Sequence, residues 1–261
     1  TVPGVVQYAV LPERQGTMDK RLNILISNDD GIGAEGIVRL ARMAAELGDV
    51  WVAAPTSQCS AMSQKLTIFN TIAVEEVDFP VPVRAAFSID GTPADCVSLA
   101  AARLLPVKPD IMFSGINYGY NAGFDIAYSG TIGAATEAVM RGIPAIAFSE
   151  QHDGAHEVAD KFMPVLAREL MAKPHVPGEL WNVNFPGCAL DELRGTLYDR
   201  SIAGCCLYDN TYDEDVTPDG RHGYRIHSKP IAAEAAPEGS DARAVLTGYI
   251  SVGKVKCRVM T

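Results

Sequence analysis

Four short apolar runs divide the first part of the chain. They are LNILIS (22–27), VWVAA (50–54), DIMFS (110–114) and AIAFS (145–149). Each has the length and the near-continuous hydrophobicity of a strand that is buried on both faces of a parallel sheet. The pattern therefore predicts a parallel sheet at the centre of the fold.

The segments between these runs predict helices. Apolar residues recur at helical spacing between the first two runs, at Ile37, Leu40, Ala41, Ala44 and Leu47. Further helices are predicted over 93–105, 130–142 and about 156–172. Strands that alternate with helices in this way are typical of an α/β fold built from βαβ units.

Two other segments depart from this alternation. Residues 67–89 are rich in β-branched residues and proline, and we expect strands outside the parallel series there. The tail has strand-like runs on both sides of a polar, Asp-rich loop, at 180–186, 223–229 and 247–253. We interpret about 200–261 as an arm of a single domain over 18–261, and an extended hairpin in such an arm often makes oligomer contacts.

Charge narrows the class of partner. The chain has 261 residues and a formal net charge of −10. Duplex nucleic acid and anionic membranes are held by basic faces, so neither is an expected partner. No apolar stretch is long enough to predict a membrane span. An anionic small substrate would need a metal ion or helix N-termini to hold it.

The N-terminal residues and the cysteines indicate location. Residues 1–17 lack the basic start and apolar run of a signal peptide, and Met18 directly precedes the first strand-like run. We expect 1–17 to be a disordered or non-native extension.

The six cysteines form no CxxC pair and have neither zinc-ribbon nor disulfide-framework spacing. Free thiols in a reducing cytoplasm are the expected state.

The stretch ILISNDDGIGAEGI (24–37) carries the first candidate chemistry. Its glycines match G-x-G-x-x-G, but the acid that a dinucleotide site places at the end of the second strand is missing from AAPTSQ. Asp29 and Asp30 instead follow a predicted central strand, where α/β proteins bind ligands. Their oxygens suit Mg²⁺ or Mn²⁺. Asp30 as a helix or turn cap is an equally weighted alternative.

A second candidate segment follows the DIMFS run. It reads GINYGYNAGFDIAYSGTIGAA, is dense in Gly, Asn and Ser, and opens a predicted helix. SGT at 129–131 would present N–H groups and two hydroxyls to an anion at the helix N-terminus. The alternative is an ordinary long loop with a Ser or Thr cap. We expect most of the loop's aromatic residues to pack the loop down.

Taken together, these motifs resemble the survival protein SurE family. The resemblance runs from about residue 22 to 252 and rests on ILISNDDGI, DGTPADCV at 90–97, SGIN.G.N.G.D..YSGTIGAA.EA at 114–138, GIPAIAFS, WNVNFP and GYISV. It implies a three-layer Rossmann-like parallel sheet with helices on both faces. It also implies a C-terminal β-hairpin extension used in oligomerisation, with a homodimer or homotetramer as the assembly.

The resemblance also implies site residues. The implied metal ligands for one divalent ion are Asp29, Asp30, Ser60 and Asn117. The implied phosphate-binding residues are Asn121, Ser129, Gly130 and Thr131. The chain departs from the family around Ser60, because Ala61 stands where glycine is usual, and Thr56 and Cys59 replace residues that are more often acidic and basic. Asp95 is expected to orient its own loop.

The implied activity is hydrolysis of nucleoside monophosphates by a metal-activated water, with Asp29 and Asp30 as the catalytic residues. Attack by an aspartate to form an aspartyl-phosphate is the less favoured route. A nucleotide-binding or regulatory module with weakened catalysis is the alternative, for which Cys59 and Ala61 are the signs. An NAD-linked oxidoreductase is disfavoured by the missing acid. The five histidines share no ligand-like spacing, and no catalytic role is predicted for them.

Overall fold

The structure is a computed structural model that describes residues 21–257. The expectation for 1–17 lies outside the described residues. The strands are β1 (Leu22–Ser27), β2 (Gly48–Pro55), β3 (Val74–Glu76), β4 (Ala85–Ile89), β5 (Ile111–Tyr118), β6 (Ala145–Glu150), β7 (Glu179–Phe185), β8 (Thr196–Arg200), β9 (Tyr208–Val216), β10 (His222–Pro230) and β11 (Ile250–Lys256). The α-helices are α1 (Glu35–Ala45), α2 (Pro93–Leu99), α3 (Gly130–Met140), α4 (Glu157–Met171) and α5 (Asp241–Leu246).

One mixed, mostly parallel sheet organises the described chain. Its nine strands run in the order β3-β4-β2-β1-β5-β6-β7-β11-β8, and β9 and β10 form a separate antiparallel hairpin. β1 lies between β2 and β5 and is parallel to both. The strand order reverses around β1, so the crevice beyond its carboxyl end is where such sheets bind ligands.

The two faces of the sheet are covered by different helices. Ile24 and Ile26 of β1 point to a core that includes residues of α1 and α4. Leu25, between them, points to a second core built with α2 and α3. Successive strand residues alternate between faces, so β1 is apolar on both. The predicted three layers, with helices on both faces, are confirmed.

The structure corrects the prediction for 67–89 in part. β3 is antiparallel to β4 and lies at the sheet edge, but β4 is parallel to β2 and extends the parallel series. The chain between Thr56 and Arg84 is long enough for the crossover that a parallel pair requires. Ala86 and Ile89 of β4 are buried.

The tail also differs from its sequence pattern. The Asp-rich stretch expected as a loop forms strand β9, which pairs with β10 in an unbroken register from Tyr208↔Pro230 to Val216↔His222. Between the hairpin and the end of the described chain, β11 returns to the main sheet beside β7. No helix within residues 21–257 combines the length and apolarity that a membrane span needs.

Candidate active site

A tight turn places both acids just beyond the end of β1. The Asn28 side chain closes it, because its Nδ2 donates to the Gly31 carbonyl at 2.9 Å and its Oδ1 accepts from the Gly31 N–H at 3.2 Å. Gly31 has a φ of +100°, which favours glycine. Asp29 and Asp30 are thereby held on the crevice side of the central strand.

Asp29 is a buried carboxylate set against the start of α3. The Thr131 hydroxyl donates to its Oδ1 at 2.6 Å, and only 3% of the residue is exposed. A Cβ added to Gly130 would lie 2.7 Å from the Asp29 Cβ, so this close approach requires glycine. Burial raises the pKa of Asp29 to about 6, the Thr131 hydroxyl opposes the rise and the Asp30 charge adds to it.

Asp30 is less buried and has different partners. The backbone N–H of Tyr118, at the end of β5, donates to its Oδ2 at 3.4 Å. Burial raises the pKa of Asp30, while the Tyr118 N–H, the Gln58 side chain and the charge of His152 act in the opposite direction. Two neighbouring carboxylates with raised pKa values are costly to ionise unless positive charge lies close to them.

The other two implied metal ligands come from neighbouring strand ends. Asn117 lies near the end of β5, and its Nδ2 donates to the Gly119 carbonyl at 2.8 Å, which leaves Oδ1 as the available atom. Ser60 is exposed in the segment after β2. That segment is tied to the acids because the Cys59 N–H donates to the Asp29 carbonyl at 2.7 Å.

The donor chemistry of these four residues fits a hard divalent cation. Two carboxylates, an amide oxygen and a hydroxyl are the ligand types that Mg²⁺ and Mn²⁺ take. No group of three or more His, Cys, Asp or Glu side chains within residues 21–257 is placed to bind a metal. The residues therefore suit an oxygen-ligated ion better than zinc.

Of the implied phosphate-binding residues, Ser129 and Asn121 lie at the cleft, whereas Thr131 lies in the protein interior. Ser129 caps α3, with its Oγ accepting from the Ile132 N–H at 3.1 Å. Asn121 is fixed by a buried amide network in which its backbone N–H donates to Asn184 Oδ1 at 2.8 Å. Thr131 is fully buried and its hydroxyl is used by Asp29.

A cleft of about 970 Å³ collects most of these residues. The predicted site residues on its wall are Asp29, Ser60, Asn117, Asn121 and Ser129. Gly130 lies behind the wall against Asp29, as Thr131 does. A volume of this size lies at the upper end of the range for small-molecule sites.

The cleft has lining residues that the sequence did not predict. Three follow β6, namely Gln151, His152 and Asp153, and six belong to the β9–β10 hairpin, namely Tyr208, Asn210, Tyr212, Ile226, Ser228 and Pro230. The strand-end rule that located Asp29 applies equally to the β6 end. For the hairpin, the sequence held one weak signal. Every second residue of YDNTY (208–212), namely Tyr208, Asn210 and Tyr212, is uncharged.

The prediction that the loop aromatics are buried holds only in part, whereas the prediction for Asp95 is confirmed. Tyr120 is buried as expected, whereas Phe124 and Tyr128 are exposed and Tyr128 lines the cleft. Asp95 orients its own loop, as predicted, by accepting from the Thr67 N–H at 2.9 Å and from the Thr92 N–H at 2.9 Å.

The chain matches known proteins along most of its length. A family model described as survival protein SurE matches residues 24–204. The 5'-nucleotidase SurE of Heliobacterium modesticaldum is 37% identical over 233 residues, covering 88% of this chain and 85% of the relative. The 5'-nucleotidase SurE of Geobacter sulfurreducens is 40% identical over 235 residues, covering 88% and 86%.

A solved structure has the same architecture. The crystal structure of the SurE protein from Aquifex aeolicus superposes with a TM-score of 0.75 at 33% identity, covering 90% of this chain and 93% of that one. The family model, the relatives and the shared fold agree with the resemblance seen in the sequence motifs. This chain belongs to the survival protein SurE family.

Proposed function

We propose that this protein is a phosphomonoesterase that hydrolyses nucleoside monophosphates to nucleoside and phosphate. The observation that carries the proposal is the adjacent pair Asp29–Asp30 at the switch point of the sheet, with Asp29 on the wall of a cleft that Asn117 and Ser60 also line. The similar relatives are named 5'-nucleotidases, which agrees with this activity.

One divalent cation per subunit, Mg²⁺ or Mn²⁺, is proposed to sit among Asp29, Asp30, Asn117 and Ser60. When bound there, such a cation would supply Lewis-acid polarisation of the phosphate and a more acidic water for the attack on phosphorus. Asp29 and Asp30, as a buried and a less buried carboxylate, would hold this charge and would then repel the phosphate less.

The chain's own residues then hold the substrate. The first turn of α3 offers backbone N–H groups without intrahelical acceptors, and these favour an anion. Ser129 and Asn121 lie on the cleft wall where they can contact phosphate oxygens. Thr131 acts through Asp29, because its hydroxyl fixes the orientation of that carboxylate. Charge that develops on phosphorus-bound oxygens is stabilised by such fixed donors.

A binding module with weakened catalysis is the second candidate. The signs for it are Cys59 and Ala61, which depart from the family pattern. Ala61 nevertheless adopts a φ of +58°, in the left-handed region that favours glycine. The backbone thus keeps the conformation that a glycine would adopt here, and this observation favours the enzyme.

Phosphate release from a panel of nucleoside 5'- and 3'-monophosphates tests the proposal. The protein is first treated with EDTA, then supplied with Mg²⁺ or Mn²⁺. We expect no release without metal and restored release with it. Folded protein that releases no phosphate with either metal, yet binds nucleotide, would establish the binding module instead.

The assembly is proposed to be a homodimer or homotetramer that uses the hairpin. Tyr224 and Val216 of the hairpin are both 64% exposed, as is typical of apolar residues that a partner subunit covers. Light scattering on the purified protein measures the mass of the assembly directly.

The proposed location is the cytoplasm. It agrees with the six cysteines, all of which are free.

A further inference from the structure

One face of the β9–β10 hairpin forms the outer wall of the cleft. Three cross-strand pairs at alternate register positions contribute to it: Tyr208↔Pro230, Asn210↔Ser228 and Tyr212↔Ile226. Residues directly opposite each other in an antiparallel pair share a face, and alternate residues along a strand share it too. All six side chains therefore project to the same side, toward the cleft that holds Asp29.

The opposite face of the hairpin has different chemistry. Its cross-strand pairs at the intervening positions are Asp209↔Lys229, Thr211↔His227 and Asp213↔Arg225. Five of these six side chains carry charge or can acquire it, and all six residues are exposed. Where it lines the cleft, the hairpin thus presents an uncharged face, and Glu214, the next residue on that face, lies outside the cleft lining. The opposite face is charged and exposed.

The uncharged face offers exposed apolar area beside a hydrogen-bonding pair. Tyr212 is 64% exposed and Ile226 is 51% exposed, so both have area that a ligand can cover. Next to them, Ser228 Oγ and Asn210 Oδ1 lie 2.6 Å apart. When Asn210 Oδ1 accepts that hydrogen bond, its Nδ2 keeps two N–H donors for a ligand.

The hairpin is fixed at its base to the loop that precedes α3. Asp125 Oδ2 accepts from the backbone N–H groups of Leu207 and of Tyr208, the latter at 3.1 Å. The Tyr208 hydroxyl in turn accepts from the Tyr120 N–H at 3.2 Å. These contacts hold the wall at a set position relative to the loop that carries Asn121 and Ser129.

We infer that the uncharged face of the hairpin is the subsite for the nucleobase of the substrate, with Tyr212 and Ile226 contacting the base plane and Asn210 donating to its edge. This inference rests on the proposed phosphatase activity. A nucleobase combines an apolar π-face with acceptor atoms at its edge, so it matches an aromatic residue beside an amide donor. The phosphate end of the same molecule reaches the acids across the cleft.

Steady-state kinetics on two substrates test the inference. Adenosine 5'-monophosphate has a base, whereas ribose 5-phosphate has the same sugar and phosphate without one. We expect wild-type kcat/KM to be higher for the nucleotide by about tenfold or more, which is the effect of base–aromatic contact. The double variant Tyr212→Ala, Ile226→Ala should lose that preference through KM, while its values for ribose 5-phosphate stay within about twofold of wild type.

The opposite face supplies the matched control. The double variant Thr211→Ala, His227→Ala removes a cross-strand pair at the neighbouring register position, and it should leave both substrates unchanged. Equal wild-type kcat/KM for the two substrates would overturn the base subsite while leaving the phosphatase in place. An equal loss on both substrates in the Tyr212, Ile226 variant would also overturn it. If the wild type hydrolyses neither compound nor any nucleotide of the panel, the proposed function itself fails.

Discussion

The end of β1 and the β9–β10 hairpin face each other across one cleft, yet they are built differently. Asp29 is 3% exposed and is held by contacts from α3 and from the segment after β2. The hairpin strands pair only with each other among the described residues, and most of their side chains are exposed. The groups proposed to perform the chemistry thus lie in the buried core, and those proposed to contact the variable part of a ligand lie on a peripheral element.

The largest expected effect is at the core side. Asp30→Asn keeps the shape of the side chain but removes the charge proposed to hold the cation. We expect turnover to fall by about a thousandfold or more, since lost transition-state charge stabilisation has effects of that order. Phosphate release with saturating Mn²⁺ measures the loss, and circular dichroism checks that the fold is intact.

An acid on the hairpin gives the control for that variant. Asp209 lies on the solvent-facing side of β9 and is exposed. Asp209→Asn should leave turnover within about twofold of wild type, because an exposed charge contributes little. Activity retained by Asp30→Asn would contradict the metal-ligand role and, with it, the contrast between core and hairpin.

A smaller but still large effect is expected at the start of α3. In Gly130→Ala the new methyl group would meet the Asp29 Cβ at 2.7 Å, so the helix or the carboxylate must move. Overpacking of this kind costs about 1–3 kcal/mol of stability, and a displaced catalytic group lowers kcat by about tenfold to a hundredfold. Urea unfolding and steady-state kinetics measure the two losses.

Gly33→Ala is the matched glycine control. A Cβ at Gly33 would have no heavy atom within 4 Å, and its φ is not in the left-handed range. We expect that variant to have wild-type kcat. If both glycine variants lose activity equally, close packing of α3 against Asp29 is not the reason.

An intermediate effect is expected at the connection between the two regions. Asp125→Asn weakens the hydrogen bonds that tie the hairpin base to the loop before α3, because an amide oxygen is a poorer acceptor than a carboxylate. We expect KM for nucleotides to rise about threefold to tenfold, with kcat changed by less than about twofold. A fall in kcat at constant KM would show that this carboxylate serves the chemistry rather than the wall.

The smallest expected effect concerns the backbone beside Ser60. Ala61→Gly relieves a residue with a φ of +58°, and we expect the free energy of unfolding to rise by about 0.5–1 kcal/mol. Ala232 serves as the control, because its φ of −62° is one that alanine adopts without strain. Ala232→Gly should lower stability by a similar amount. Urea titrations of both variants decide whether strain at Ala61 is real, since equal shifts would argue against it.

Much of the core side could be predicted from sequence. The helix predicted over 130–142 is observed as Gly130–Met140, and the one predicted at about 156–172 is Glu157–Met171. The position of the acids followed because buried parallel strands read as apolar runs and their carboxyl ends share an edge. In this region the local sequence pattern determines the tertiary position, so the location of the acids could be predicted from the sequence.

The hairpin side could not be predicted in the same way. β9 reads YDNTYDEDV, in which apolar residues do not alternate with polar ones, so no hydrophobic period indicates a strand. The direction of β4 likewise depends on a crossover rather than on its own residues. His152, by contrast, follows β6, so the strand-end rule that located Asp29 could have placed it on the cleft.

The unbroken β9–β10 register has a consequence for how this protein can change over generations. A substitution at Asn210, Tyr212, Ile226 or Ser228 alters the cleft wall at exposed side chains that pair only within the hairpin. If these side chains select the ligand as proposed, selection on ligand choice and selection on folding act on separate residues. A combinatorial library confined to positions 210, 212, 226 and 228 would sample new ligands at little risk to the scaffold.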